Sequence, residues 1–269
     1  MGRNTIDKTG EENINNFGSE MIITNSYMEF NDKRKRNDSY IDIYFPKYDW
    51  IYKRATYGNF KKGNIKCPYE KSIYGVGYLS EGEYKTRENG KHTRVYTTWH
   101  SMMERCYSDK YHEKHSTYKD CKASEEFHNF QNFGSWDSEN FYTVEGERME
   151  LDKDILVKGN KIYSPETCIY MPQTINTLFV KKDRNRGKLA IGTTRRKNGK
   201  YMAQCNLINP ETGKSKLKNL GYYDTEIEGF EVYKYYKEKN IKEVADYFKK
   251  EIPSELYNAM YRYEVEITD

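Results

Sequence analysis

Between Lys181 and Leu220 the chain sets twelve Lys and Arg against two Asp and Glu, on short alternating runs broken by Asn198-Gly199 and by Pro210-Glu211-Thr212-Gly213. Alternation with a period of two, interrupted by turns of this chemistry, predicts a three-stranded antiparallel meander built from LAIGTTRRKNGK, KYMAQCNLINPETGK and KSKLKNLGYY. The cations of such a meander must face either water or a polyanion. The whole chain is only +4, so everything outside this stretch is net acidic. Charge segregated in this way is the electrostatic footprint of a nucleic-acid partner, and a solvated basic face is the plainer alternative.

The meander is followed by a helix start. Thr225 caps it, Glu228 stands in the capping-box position, and Phe230, Val232, Tyr233 and Tyr236 form the face that packs on the sheet, with helicity expected to Lys250. Pro253 and SELYNAMYRY predict one more short helix before an acidic tail. Upstream, the runs MIITNSYMEF, YIDIYF, WIYKRATYGNF, GNIKCPY and YGVGYLSEGEY read as strands of a small β-rich domain, with Gly75 and Gly77 marking a bulge or turn. TTWHSMMERCY places Trp99, Met102, Met103 and Cys106 at helical spacing. EEFHNFQNFGSWDSENF reads as a second helix with Phe127, Phe130, Phe133 and Trp136 in its core.

The segment RMELDKDILVKGNKIYSPETCIYMPQTINTLF reads as strand, loop, strand and helix, with Gly159-Asn160 and Ser164-Pro165 in the loop. Alternation sets Met149, Leu151, Lys153 and Ile155 on one face and Glu150, Asp152 and Asp154 on the other. Three carboxylates on one side need either solvent or a hard cation, and the pattern alone leaves both open.

A chain of 269 residues with 36% apolar and 32% charged residues and a mean hydropathy of −1.06 supports small cores rather than one large one. An α+β chain of three domains is expected: a β-rich one at 1–88 and others at 89–184 and 185–269. No apolar run reaches the length of a membrane span, and the N-terminal residues lack the apolar segment of a signal peptide, so a cytoplasmic protein is expected. The five cysteines are widely spaced and never form a C-x-x-C pair, which argues against a disulfide scaffold or a zinc knuckle.

From Ala190 to about Tyr236 the chain resembles the APETALA2/ethylene-response-factor DNA-binding domain. The resemblance rests on Ile191-Gly192, Lys200-Tyr201-Met202-Ala203, Leu220-Gly221-Tyr222-Tyr223-Asp224-Thr225 and Val232-Tyr233. It implies that the sheet lies in the major groove of double-stranded DNA, with Arg195, Arg196, Lys197, Lys200, Lys214, Lys216 and Lys218 as the contacting residues. The insertion NPETGKSK and the residues Gly229 and Phe230, where the family packs alanines, depart from its pattern.

With YTTWHSMMERCY, TYKDCKASEEFHNFQNF, LDKDILVKGNKIYSPETC and MPQTIN, nearly the whole chain resembles phage-encoded proteins that join an HNH-type nuclease module to such a domain. Laid onto this chain, the resemblance implies a ββα module with Asp152 as strand aspartate, Asn160 as loop asparagine and Asn176 as helical ligand. Asp152 and Asn176 would hold one Mg²⁺ or Mn²⁺ ion that stabilises charge developing on phosphorus.

Lys153 stands where the family places its base histidine. A lysine with its ordinary pKa near ~10.4 is protonated at neutral pH. Either Asp154 or a lysine of depressed pKa does the work, or a histidine such as His100 or His128 is supplied from elsewhere, or the nuclease is inactive. The functions to be weighed are a metal-dependent homing-like endonuclease or nickase acting as a monomer, a catalytically inactive DNA-binding regulator, and a host-takeover protein that binds a host protein.

Overall fold

The computed structural model describes residues 7–180 and 189–269, so 181–188 of the basic stretch lie outside the described residues. The fold is mixed α+β and divides into two compact units, Met1–Trp136 and Asp137–Asp269.

The first unit opens with a four-stranded antiparallel meander in the order β1 (Glu12–Ile14), β2 (Glu20–Asn31), β3 (Arg36–Phe45) and β4 (Trp50–Ala55). Alternation fixes its buried face. Met21 and Ile23 of β2 and Ile41, Ile43 and Phe45 of β3 pack with Phe60 of a short helix, α1 (Tyr57–Lys61).

WIYKRATYGNF, expected as one strand, is cut at Thr56, whose hydroxyl accepts from the Asn59 N–H and caps α1. GNIKCPY and YGVGYLSEGEY form nothing beyond isolated bridges. After the first, the buried Glu70 carboxylate draws the chain inward by accepting from the Asn15 amide (2.5 Å) and the Cys67 N–H (3.1 Å). In the second, Tyr74 and Gly75 are both left-handed, and the Gly77 N–H donates to the Ile73 carbonyl at 2.8 Å, closing a tight turn.

The unit continues through a hairpin of β5 (Arg87–Glu88) and β6 (Lys91–His92), then α2 (Arg94–Tyr107), α3 (Asp109–Lys114), β7 (Lys122–Ala123), α4 (Glu125–His128) and the first turns of α5 (Phe130–Asn140). Trp99, Met102, Met103 and Cys106 are buried as their spacing predicts, as are Phe127, Phe130, Phe133 and Trp136. The single helix expected over the second set is two helices. Asn129 between them is extended, because the Tyr78 backbone bonds to His128 and Phe130 on either side of it.

In the second unit β8 (Met149–Asp152) precedes a two-residue strand, β9 (Ile162–Tyr163), and pairs antiparallel with β10 (Ile169–Pro172), which runs directly into α6 (Gln173–Phe179). The expected meander follows as a three-stranded antiparallel sheet of β11 (Thr193–Arg195), β12 (Tyr201–Ile208) and β13 (Ser215–Tyr223). The helix α7 (Glu226–Phe248) starts at the predicted capping box, Thr225 with Glu228, and α8 (Ser254–Tyr261) follows Pro253.

At 23 residues α7 is about 35 Å long and serves two cores. Its first half sets Phe230 and Tyr233 on Ala190 and Cys205 beneath the sheet. Its second half sets Ile241, Val244, Ala245 and Phe248 against Ile169 and Met171 of β10, Ile175 and Leu178 of α6, and Leu256 and Met260 of α8.

The tightest point of this packing is Gly192, left-handed at φ 77, under the Tyr233 ring; a Cβ there would sit 2.1 Å from ring carbons. Gly199 is also left-handed (φ 84) but has open space around it. Gly199→Ala should therefore cost only the backbone term, about 1–2 kcal/mol. Gly192→Ala should add about 1–3 kcal/mol of overpacking. Urea unfolding of the two variants, monitored by circular dichroism, checks the order.

Candidate functional site

The loop between β8 and β10 brings together four of the residues singled out in the sequence. β8 stops at Asp152 because that side chain turns back on the chain: its Oδ1 accepts from the Asp154 N–H (2.8 Å) and the Ile155 N–H (2.8 Å). The alternation read through residue 155 survives as burial of Leu151, Lys153 and Ile155, although the strand itself has ended.

Asn160 holds the loop from the other side. Its amide donates to the carbonyls of Lys153 (2.7 Å) and Ile162 (2.7 Å) and accepts from the Ile162 N–H (3.2 Å). The result is a fixed loop presenting Asp152, Lys153 and Asp154 beside α6, which packs on β8 and β10 and carries Asn176. Asn176 is partly exposed and makes no side-chain hydrogen bond among the described residues.

The charges in this loop are unevenly satisfied. Lys153 is 7% exposed, and its Nζ lies 3.1 Å from Asp154 Oδ2 and 5.6 Å above the Tyr163 ring. Asp152 Oδ2 has no hydrogen-bond donor among the described residues. Burial, and next the Asp154 carboxylate, push the Asp152 pKa up to about 6, against the downward pull of its two backbone donors and of the Lys153 charge. An anion in this condition is one that a cation would stabilise.

No group of three or more His, Cys, Asp and Glu able to hold a metal is present among the described residues. A Mg²⁺ ion keeps much of its water and needs only one or two protein carboxylates, and of the two ligands expected from the sequence only Asp152 is a carboxylate. The two histidines weighed as substitute bases lie in the first unit. His128 Nε2 is 2.8 Å from the Tyr107 hydroxyl, and His100 packs among Tyr74 and Tyr96; burial lowers the pKa of both.

The C-terminal sheet sorts its cations by register. Residues opposite each other in an antiparallel pair share a face. Lys218 pairs with Cys205 and Lys216 with Leu207, on the side of the sheet that α7 covers, and Lys218 Nζ lies 4.7 Å from the Tyr236 ring on α7. Arg195 pairs with Tyr201 on that side.

The opposite, open face carries Thr194, Met202 and Tyr222 in one row and Gln204 with Asn219 in the next. At its end the Arg196 N–H donates to the Lys200 carbonyl (2.8 Å), placing both side chains on the open face, where the Arg196 guanidinium reaches Met202 Sδ. Lys197 and Lys214 sit in the turns at the two ends. All seven expected cations are exposed, and among the described residues only Lys200 has an acidic partner, Asp224 at 3.0 Å.

Toward the other end of the open face, Asn206, Ser215 and Leu217 line a recess of about 520 Å³ with Thr177 and Val180 at the end of α6. The flat part of the face is therefore the end with Arg196, Lys200, Tyr222 and Asn219. Gln204, Asn219 and Tyr222 were not singled out in the sequence; the phase of β12, read from the pair Ala203 and Cys205 that packs under α7, would have placed them.

No protein-family model, curated protein or solved structure matches this chain. No helix among the described residues is long and apolar enough to cross a membrane.

The raised Asp152 pKa has a stability consequence. Because the folded value of about 6 lies above an unfolded value near 3.8, the folded chain binds the extra proton between these limits, and stability falls as pH rises through that window. Asp152→Asn keeps an acceptor for the two N–H groups and removes the charge. It should raise stability by about 1–3 kcal/mol above pH 6 and by little near pH 4, as read from urea unfolding across that range.

Proposed function

We propose that this chain binds double-stranded DNA through its C-terminal sheet and carries a degenerate HNH-type ββα module made of β8, β10 and α6. The observation that supports binding is the set of exposed cations left without acidic partners in a chain with nearly as many acids as bases. On a protein of this composition such groups have ample opportunity to pair, and a phosphate backbone supplies what the fold does not. Arg196 and Lys200 on the open face, with Lys197 and Lys214 in the flanking turns, are the primary contacts. The Asn219 amide nitrogen, its oxygen already accepting from the Gly221 N–H (3.0 Å), would donate to an acceptor on a base edge.

For cleavage, the supporting geometry is the Asn160 clasp between two strands that lead into a helix. The reaction would be hydrolysis of a phosphodiester, dependent on Mg²⁺ or Mn²⁺ held by Asp152 and Asn176. The ion would supply electrostatic stabilisation of the developing phosphorane charge. Lys153, buried and paired with Asp154, would act by holding that carboxylate, and Asp154 is the group in the loop able to orient a water.

The same pair favours a second reading. With a buried ammonium where the family has its base histidine, the module would serve as a DNA clamp in a catalytically inactive regulator.

Supercoiled plasmid incubated with Mg²⁺, Mn²⁺ or EDTA, beside a mobility-shift assay on the same DNA, separates the two. Metal-dependent nicking that disappears in Asp152→Ala with Asn176→Ala, while the shift persists, is the result expected of the enzyme. A shift without cutting under any metal would leave the regulator.

A further inference from the structure

The first unit holds a second concentration of exposed cations that the sequence reading did not single out. From Lys85 to Arg94, four of ten residues are Lys or Arg and His92 is a fifth base, against Glu88 alone. Lys85, Arg87, Lys91, His92 and Arg94 are all exposed, on the β5–β6 hairpin and the first turn of α2.

The hairpin does not need these charges for its shape. Asn89 and Gly90, both left-handed, make the turn, and Arg87 pairs with His92 and Glu88 with Lys91 across it. Both legs are fastened to the unit. On the entering leg the Gln131 side chain accepts from the Tyr84 N–H (3.0 Å) and donates to the Tyr84 carbonyl (3.0 Å). On the leaving leg Thr93 donates from its N–H to the Thr86 carbonyl (3.1 Å) and from its hydroxyl to the Lys85 carbonyl (2.7 Å), and the His92 ring stacks on Tyr96 at 4.9 Å.

Lys85 and Lys91 have no acidic partner among the described residues, and the Arg87 guanidinium meets only the Gly90 carbonyl and the His92 ring. The arrangement is a rigid mount for a majority of like charges, with Glu88, opposite Lys91, as the one carboxylate on the hairpin itself.

We propose that the β5–β6 hairpin is a second DNA-contacting element, which sets Lys85, Arg87, Lys91 and Arg94 against the phosphates of a duplex. The inference rests on the DNA-binding reading given above. Fixed legs mean that little ordering is lost on contact. Apart from Asn89 in the turn, the exposed side chains of this short hairpin are basic or acidic, which favours backbone contact over base readout. Joined in one chain to the C-terminal sheet, it would raise affinity through effective concentration rather than by new specificity.

The test is fluorescence anisotropy of the full chain on a random-sequence duplex over about 50–200 mM salt. It compares wild type, a hairpin variant (Lys85→Ala, Arg87→Ala, Lys91→Ala) and a sheet variant (Arg196→Ala, Lys200→Ala). The hairpin variant, with an unchanged thermal melt, should lower the magnitude of the log–log salt slope by about 2–3, at roughly 0.9 per lost phosphate contact. Lys85→Arg with Lys91→Arg should keep the wild-type slope.

A wild-type slope in the hairpin variant, with a reduced slope in the sheet variant, would overturn the hairpin while leaving the DNA-binding reading intact. Absence of binding by wild type at the lowest salt would overturn that reading, and the hairpin inference with it.

Discussion

The second unit depends on how closely α7 approaches the sheet. Gly192 lies against the face of the Tyr233 ring, and Gly229, buried within α7, comes so near the sheet that a Cβ on it would stand 3.3 Å from Thr193 Cγ2 and 3.9 Å from Ala203 Cβ. A glycine inside a helix costs about 1 kcal/mol of propensity relative to alanine. Burial of side chains such as Phe230, Ile241 and Phe248 returns about 1.5–3 kcal/mol each, so packing outweighs propensity. Where β12 runs beyond the end of β11, Asn240 of α7 takes the place of a strand, its amide accepting from the Ile208 N–H (2.8 Å) and donating to the Ile208 carbonyl (2.9 Å). One helix thus seats the sheet, finishes its hydrogen bonding and anchors the β8–β10–α6 element.

That anchoring gives the β8–β10 loop its fixed form. Two backbone donors hold one oxygen of Asp152, Asn160 ties the loop across its base, and Lys158 fastens the chain end by donating to Asp269 Oδ2 (2.8 Å) and to the Glu264 carbonyl (2.8 Å). On the proposed function, the Asp152 carboxylate would meet the cation. Lys153, its neighbour, lies 3.1 Å from Asp154, and its charge also pulls the Asp152 pKa down.

The elements legible in the sequence were those specified locally. The capping box at Thr225 and Glu228 and the turn at Asn198-Gly199 carry their own instructions and stand where the sequence puts them, and Phe127, Phe130 and Phe133 are buried as their spacing predicts. The misread elements were decided by distant partners. Tyr78 splits a helical pattern at Asn129, and buried Glu70 keeps GNIKCPY from extending. At the sheet, composition identified the cations but not their faces. Whether Lys218 or Lys200 looks outward depends on the phase of β12 against α7 and on the irregularity opposite Ala203, where Leu220 is left out of the register between Asn219 and Gly221. Neither is encoded within a single strand.

On the proposed function, the open face of the C-terminal sheet meets the DNA. The most direct measurement compares duplex affinity, at fixed low salt, of Arg196→Glu with Lys200→Glu against Lys216→Glu with Lys218→Glu. The two variants carry the same change in net charge on opposite faces. The account predicts that the open-face pair weakens binding by at least tenfold more than the helix-side pair, a difference of about 1.4 kcal/mol. Equal losses, or a larger loss from the Lys216 and Lys218 pair, would contradict it.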